Sequence, residues 1–125
     1  MITEDYVSFE VAKLLKEKGF DEPCQFLYFS KYKQEGDFIG NFYARKNSEI
    51  NEASYSAPTL QMAMKWLREV HNLWCEISWE GKGLWCMEFF SLIDEEFIPG
   101  SIVHEIKSYE EACETGIRYA LENLI

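Results

Sequence analysis

The side chains best suited to chemistry are three glutamates in one short stretch, Glu76, Glu80 and Glu88. Clustered carboxylates can bind a divalent cation or hold a proton at a raised pKa. These three would share one face of a predicted hairpin in one of its two registers. Acidic residues are also ordinary on solvated strand faces. We therefore expect a solvated face, and keep a small metal-dependent or acid/base enzyme as an alternative.

The two histidines and four cysteines are further candidates for metal ligands, bases or nucleophiles. They are His71, His104, Cys24, Cys75, Cys86 and Cys113. No C-x-x-C pair occurs, and neither histidine stands at a metal-ligand spacing from a cysteine. No glycine-rich phosphate loop occurs either. We expect reduced, buried cysteines and structural histidines, with no catalytic residue, metal ligand or cofactor.

The glutamates depend on the clearest hairpin of the sequence, strands 73–80 and 84–90 around the turn 81–83 (Gly-Lys-Gly). Apolar and polar residues alternate along the first strand, which is the pattern of a strand covered on one face. Glycines beside a short turn are typical of hairpins.

Two registers of this hairpin remain open. A three-residue loop would set Ile77 opposite Met87 and Glu76 opposite Glu88, which brings two carboxylates face to face. A shift by one residue would instead pair Ile77 with Cys86 and reverse the faces of one strand.

Three helices and a first hairpin complete the prediction. The helices are 8–18, 58–71 and 108–124, the strands of the first hairpin are 24–29 and 38–43, and Gly36 and Asp37 form its turn. Ser8 and Ser108 are typical N-caps. The polar segment 45–56 is predicted as a surface loop, and 102–106 as a short edge strand.

The fold class that follows is α+β, in the order αββαββα. Three helices pack on one face of an antiparallel sheet of about four strands. Residues 1–125 are predicted to form a single globular domain, and the two helix-plus-hairpin segments suggest a weak internal duplication.

Charge and hydropathy limit the partners. The formal net charge is −10, and seven of these negative charges fall in residues 88–125. Such a field repels phosphates, so we expect no direct binding of nucleic acid. An acidic inhibitor that imitates nucleic acid is the alternative. The most apolar segment, 84–93, is too short to cross a membrane and contains Glu88, so we expect a cytoplasmic protein without membrane contact.

Aromatic residues make up 16% of the chain, which is more than a small interior readily covers. We expect the surplus at a surface for self-association, formed by Trp74, Trp79, Trp85 and Phe89. The leading hypothesis is a non-enzymatic protein-interaction domain that forms a homodimer, with any further protein partner unknown.

Three segments carry a resemblance to known sequences. They are 8–20 (SFEVAKLLKEKGF), 57–69 (APTLQMAMKWLRE) and 108–112 (SYEEA). In these helix starts and cores the chain resembles small uncharacterised proteins from gut anaerobes and their prophages. The resemblance implies a cytoplasmic, phage-linked origin, and it assigns no functional residue.

Overall fold

The computed structural model describes residues 1–30 and 37–125, apart from the side chains of Asp37, Asn41 and Phe42. Two compact units divide the chain, Met1–Thr59 and Leu60–Ile125. The first contains helix α1 (Phe9–Glu17), strands β1 (Cys24–Phe29), β2 (Asp37–Arg45) and β3 (Ser54–Ser56), and a 3-10 turn at Asn47–Glu49. The second contains α2 (Leu60–His71), β4 (Leu73–Gly81), β5 (Leu84–Ser91), β6 (Glu96–Ile106) and α3 (Tyr109–Asn123). The α+β class with three helices is confirmed.

The first unit is an antiparallel sheet in the order β2-β1-β3 beside α1. Helix α1 begins as predicted, because the Ser8 hydroxyl accepts a hydrogen bond from Val11 N at 3.2 Å. Gly19 ends it in the left-handed conformation (φ 90°). The antiparallel pairing of β1 with β2 confirms the first hairpin. Gly36 of its predicted turn lies outside the described residues.

The prediction of a surface loop over 45–56 is wrong. Asn47 is buried, and its side chain donates to Phe20 O at 2.8 Å and accepts from Ser56 N at 2.9 Å. Strand β3 then pairs with β1. The polar composition concealed this, because an asparagine that replaces backbone hydrogen bonds can be buried at little cost.

The second unit is an antiparallel sheet in the order β4-β5-β6. Its hairpin adopts the first of the two predicted registers, with Glu76 opposite Glu88 and Ile77 opposite Met87. Lys82 and Gly83 both have positive φ (55° and 76°), as a tight hairpin turn requires.

Strand β6 is longer than the predicted 102–106. Its pairing with β5 is interrupted between Glu88 and Phe90. There the Ser101 hydroxyl accepts from Phe89 N at 3.1 Å and lies 3.2 Å from Phe89 O, so a side chain replaces ladder bonds. Pro99 stands inside this irregularity, which explains why the first half of the strand did not resemble one.

Helices α2 and α3 lie on one face of the second sheet. Gly116 of α3 approaches so closely that a Cβ there would stand 2.6 Å from Cys75 Sγ. The Ser108 hydroxyl accepts from Glu111 N at 3.0 Å, which confirms this N-cap. Met62 and Val70 of α2 are exposed, since only one side of this helix packs.

The two units share the sequence of a helix followed by three strands, yet their sheets differ in order. The central strand is the first of the three in one unit and the second in the other. A single globular domain over 1–125 stays a prediction. Among the described residues, no helix combines the length and the apolar character needed to span a membrane.

Candidate functional site

The outer face of the second sheet, opposite α3, is the most distinctive surface of the described structure. It begins with a row of aromatic residues across all three strands, in which Trp74 pairs with Phe90 and Phe90 with Phe97. The rings of Phe90 and Phe97 are 5.8 Å apart. Trp74 is 38% and Phe97 39% exposed. We call Trp74, Phe90 and Phe97 the aromatic row.

A row of carboxylates follows, with Glu76 opposite Glu88 and Ile102 beyond it on β6. Glu76 accepts a hydrogen bond of 2.6 Å from Trp74 Nε1. Two of the three predicted glutamates thus meet. Because both are only partly buried, water can solvate them, and the acid/base enzyme hypothesis gains nothing from their geometry.

The third glutamate belongs to a different cluster at the far end of the face. Glu80 Oε2 lies 2.8 Å from His104 Nδ1, and Glu80 Oε1 accepts from Glu105 N at 2.9 Å. Since β5 separates β4 from β6, the Glu80 side chain crosses over β5, where Cys86 is buried. One donor atom from each of Glu80, Cys86 and His104 lies within 4.8 Å of the others.

Two irregularities of the sheet place this cluster. Glu80 is an extra residue on β4 between the pairs Trp79–Trp85 and Gly81–Leu84. On β6, His104 and Glu105 both stand opposite the single residue Cys86. Glu105 has a positive φ of 58°. Such bulges redirect side chains, and here both direct them to the same place.

The charges in this cluster do not activate Cys86 for nucleophilic attack. Hydrogen bonds from Glu105 N and from His104 lower the pKa of Glu80. Burial, followed by the negative charge of Glu80, raises the pKa of the Cys86 thiol. A cysteine nucleophile needs the opposite shift, so Cys86, His104 and Glu80 do not form an activated catalytic triad.

The structure separates the residues of the predicted interaction surface, which are Trp74, Trp79, Trp85 and Phe89. Phe89 is fully buried (0% exposed) and stacks on Tyr119, so including it was wrong. Its side chain alternates with those of the outer face and therefore points to the helices. Trp85 is half-buried against Tyr109, and Trp79 is 66% exposed at the hairpin tip.

The other histidine has a structural position at the end of α2. His71 packs edge-on against Trp66 with ring centroids 4.5 Å apart. Burial lowers its pKa, which favours the neutral ring.

The described part of the first unit contains a cleft of about 440 Å³. Its lining comes from α1 and the 47–55 segment and consists of Lys13, Lys16, Glu17, Asn47, Ile50, Glu52 and Tyr55. Lys16 donates to Asn51 O at 2.9 Å and to Ser54 O at 2.8 Å. Burial lowers its pKa. These bonds engage the ammonium in holding the segment against α1.

Comparison with known proteins gives no identity. No protein-family model, curated protein or solved structure matches the chain. Function must therefore be argued from the outer face itself.

Sequence reasoning missed Cys86 and His104 as neighbours, because 18 positions separate them and a bulge shifts the register in between. A cysteine on the polar face of a predicted strand was the available signal.

Proposed function

We propose that this chain is a non-enzymatic protein-interaction domain that forms a homodimer through the aromatic row. The observation that carries the proposal is the alignment of Trp74, Phe90 and Phe97 across three neighbouring strands, with the first and last of them more than one third exposed. Rigid, partly exposed aromatic side chains are the residues that most often dominate binding energy at interfaces.

Trp74 is already held in place. Its Nε1 atom donates to Glu76, and the Arg68 guanidinium lies 5.6 Å from its ring centroid. A side chain fixed before binding loses less conformational entropy in the complex. Trp74 therefore has the properties of an interface anchor.

The position of the carboxylates favours a particular dimer. If a two-fold axis passes through the aromatic row, the rows of both copies stack while Glu76 and Glu88 of each copy lie on opposite sides of the axis. Closer superposition would bring four carboxylates together in a site of low dielectric constant, at a high cost.

The test is the solution mass by size-exclusion chromatography with light scattering, over about a hundredfold range of protein concentration. We expect a dimer for the native protein, and a mass that falls to the monomer on dilution for Trp74→Ala and Phe97→Ser. Trp79→Ala is the matched control, because it removes a more exposed tryptophan from outside the row.

A monomer at every concentration would refute the dimer. So would a dimer that Trp79→Ala dissociates and Trp74→Ala leaves intact. Far-UV circular dichroism of each variant separates loss of association from loss of folding.

A second candidate is an acidic protein that imitates nucleic acid and binds a basic partner. Asp94 and Glu95 are exposed in the turn before β6, and Glu96 is exposed at the first position of that strand. The second unit has twelve acidic residues against five lysines and arginines. Long-range attraction to a basic surface would follow.

Polylysine and a basic nucleic-acid-binding protein serve as probes for this candidate. It predicts binding that weakens steeply with salt and falls when Asp94, Glu95 and Glu96 are replaced by Asn, Gln and Gln. Equal binding by this variant would refute it.

A further inference from the structure

The geometry points to a divalent transition-metal site, best suited to Zn²⁺, formed by Glu80, Cys86 and His104. This site is independent of the dimer, because it lies at the opposite end of the outer face from the aromatic row. It supplies one oxygen, one sulfur and one nitrogen ligand. Zinc accepts all three, whereas Mg²⁺ and Ca²⁺ prefer oxygen ligands alone.

The spacing of the donor atoms suits a tetrahedral ion. Bond lengths of about 2.0–2.3 Å place the ligand atoms of such an ion roughly 3.3–3.6 Å apart. Here all three atoms lie within 4.8 Å of one another, and Glu80 Oε2 and His104 Nδ1 are 2.8 Å apart. Small rotations of the His104 and Glu80 side chains, which are 56% and 28% exposed, would therefore close the site without movement of the strands.

The backbone around the site prepares the ligands. Glu105 N donates to Glu80 Oε1 and leaves Oε2 free to face the cluster. A hydrogen bond behind a ligand in this way fixes its orientation. Cys86 is held by the central strand of the sheet. Because Glu80 and His104 face solvent, a fourth position remains for water, as in zinc sites with three protein ligands.

The convergence of two bulges has no evident structural benefit. A positive φ at a residue other than glycine is energetically unfavourable, and Glu105 has φ 58°. An irregular edge alone would discourage strand pairing between molecules. It would not require a histidine, a glutamate and a cysteine at the same place, and a bound ion explains that combination.

Binding has a definite proton balance. Zinc takes cysteine as the thiolate and histidine as the neutral ring. The ion therefore displaces the thiol proton of Cys86 into solvent. We expect proton release on binding, and affinity that rises with pH.

The experiment uses the full chain without a histidine tag, titrated with Co²⁺ and then with Zn²⁺. We expect one Co²⁺ per chain, with the intense visible bands of a tetrahedral ion and a near-ultraviolet band from sulfur-to-metal charge transfer. Zn²⁺ should abolish both, and should raise the melting temperature.

Variants assign the ligands. Cys86→Ser should lose the charge-transfer band, and His104→Gln and Glu80→Gln should weaken binding by about 10-fold or more. The last two residues are exposed, so these variants remain informative if Cys86→Ser fails to fold. Matched controls are His71→Gln and Cys24→Ser, which replace the same residue types elsewhere.

The site is refuted if Co²⁺ gives no charge-transfer band. It is refuted equally if His104→Gln binds as tightly as the native chain, or if His71→Gln or Cys24→Ser abolishes binding. None of these results depends on the oligomeric state, so failure of the metal site and failure of the dimer are distinguishable.

Discussion

The two units surround their partly exposed aromatic residues with different neighbours. In the first, Phe38 lies against Tyr6, Phe26 and Tyr28, with ring centroids 4.9–5.3 Å apart. In the second, Trp74 lies in a row directed to solvent, beside carboxylates that face each other. Phe38 is 45% and Trp74 38% exposed, so the units differ in what surrounds the ring rather than in burial. Phe38 belongs to a cluster of aromatic rings within its own unit, whereas Trp74 stands beside a pair of carboxylates that must stay solvated. Such departures from the most stable arrangement tend to mark functional surfaces.

The largest effects should come from the buried polar side chain that replaces ladder bonds in each unit. Asn47→Ala removes the side chain's hydrogen bonds to Phe20 O and Ser56 N and should lower the free energy of unfolding by about 2–4 kcal/mol. Ser101→Ala removes the hydroxyl that serves Phe89 and should cost about 1–3 kcal/mol. Urea unfolding followed by circular dichroism gives both values.

Hydrogen exchange locates these losses. Asn47→Ala should speed exchange in β1 and β3, and Ser101→Ala in β5 and β6. Loss of less than about 0.5 kcal/mol in either variant would show that water replaces the side chain, since a solvated group has no unpaired cost.

The next effect concerns a close approach of backbone in each unit. In Gly116→Ala the new Cβ would stand 2.6 Å from Cys75 Sγ, and we expect a net loss of about 1–3 kcal/mol from overpacking. In Gly40→Ala it would stand 3.2 Å from Phe26 Cε1, and this half-buried ring can shift by a few tenths of an ångström. There we expect a change within about 1 kcal/mol.

Tryptophan fluorescence measures the Gly116 variant well, because all four tryptophans belong to the second unit. Equal stability of both alanine variants would contradict this expectation and would mean that α3 moves away from β4 and β5 at little cost. Faster hydrogen exchange of the α3 amides would reveal such a movement.

Local chemistry explains which parts of the fold could be predicted. Ser8 and Ser108 cap their helices through hydrogen bonds three residues away, and the register of 73–90 follows from a short turn. Strand β3 could not be predicted, because its pairing depends on a side chain, Asn47, that bonds to groups distant in sequence.

The candidate sites were harder to predict for the same reason. Alternation places Phe89 and Trp74 on different faces once the register is known, so their separation was within reach of the sequence. The contact of Glu80 with His104 was not, because it spans a strand and depends on two bulges. Bulges follow from the balance of a whole sheet and have weak local signals.

The smallest expected effect concerns one carboxylate in each unit that forms hydrogen bonds with a segment distant in sequence. Asp21 accepts from Ser48 N and Ser48 Oγ at 2.8 and 2.9 Å, and Glu80 accepts from Glu105 N and faces His104. These hydrogen bonds lower the pKa of both carboxyls. Each charge therefore adds stability that is fully present above the ordinary carboxyl pKa of about 4 and is lost as pH falls through the lowered value.

With a chelator present, Asp21→Asn and Glu80→Gln should each lose less stability than the native chain as the pH falls through this acidic range. The two differences should be small and similar, because both groups are exposed. Addition of Zn²⁺ near neutral pH should then distinguish the two variants. It should stabilise the native chain and Asp21→Asn alike, and should have a much weaker effect on Glu80→Gln. An equal response of all three proteins to Zn²⁺ would place the ion elsewhere and leave Glu80 with the same structural role as Asp21.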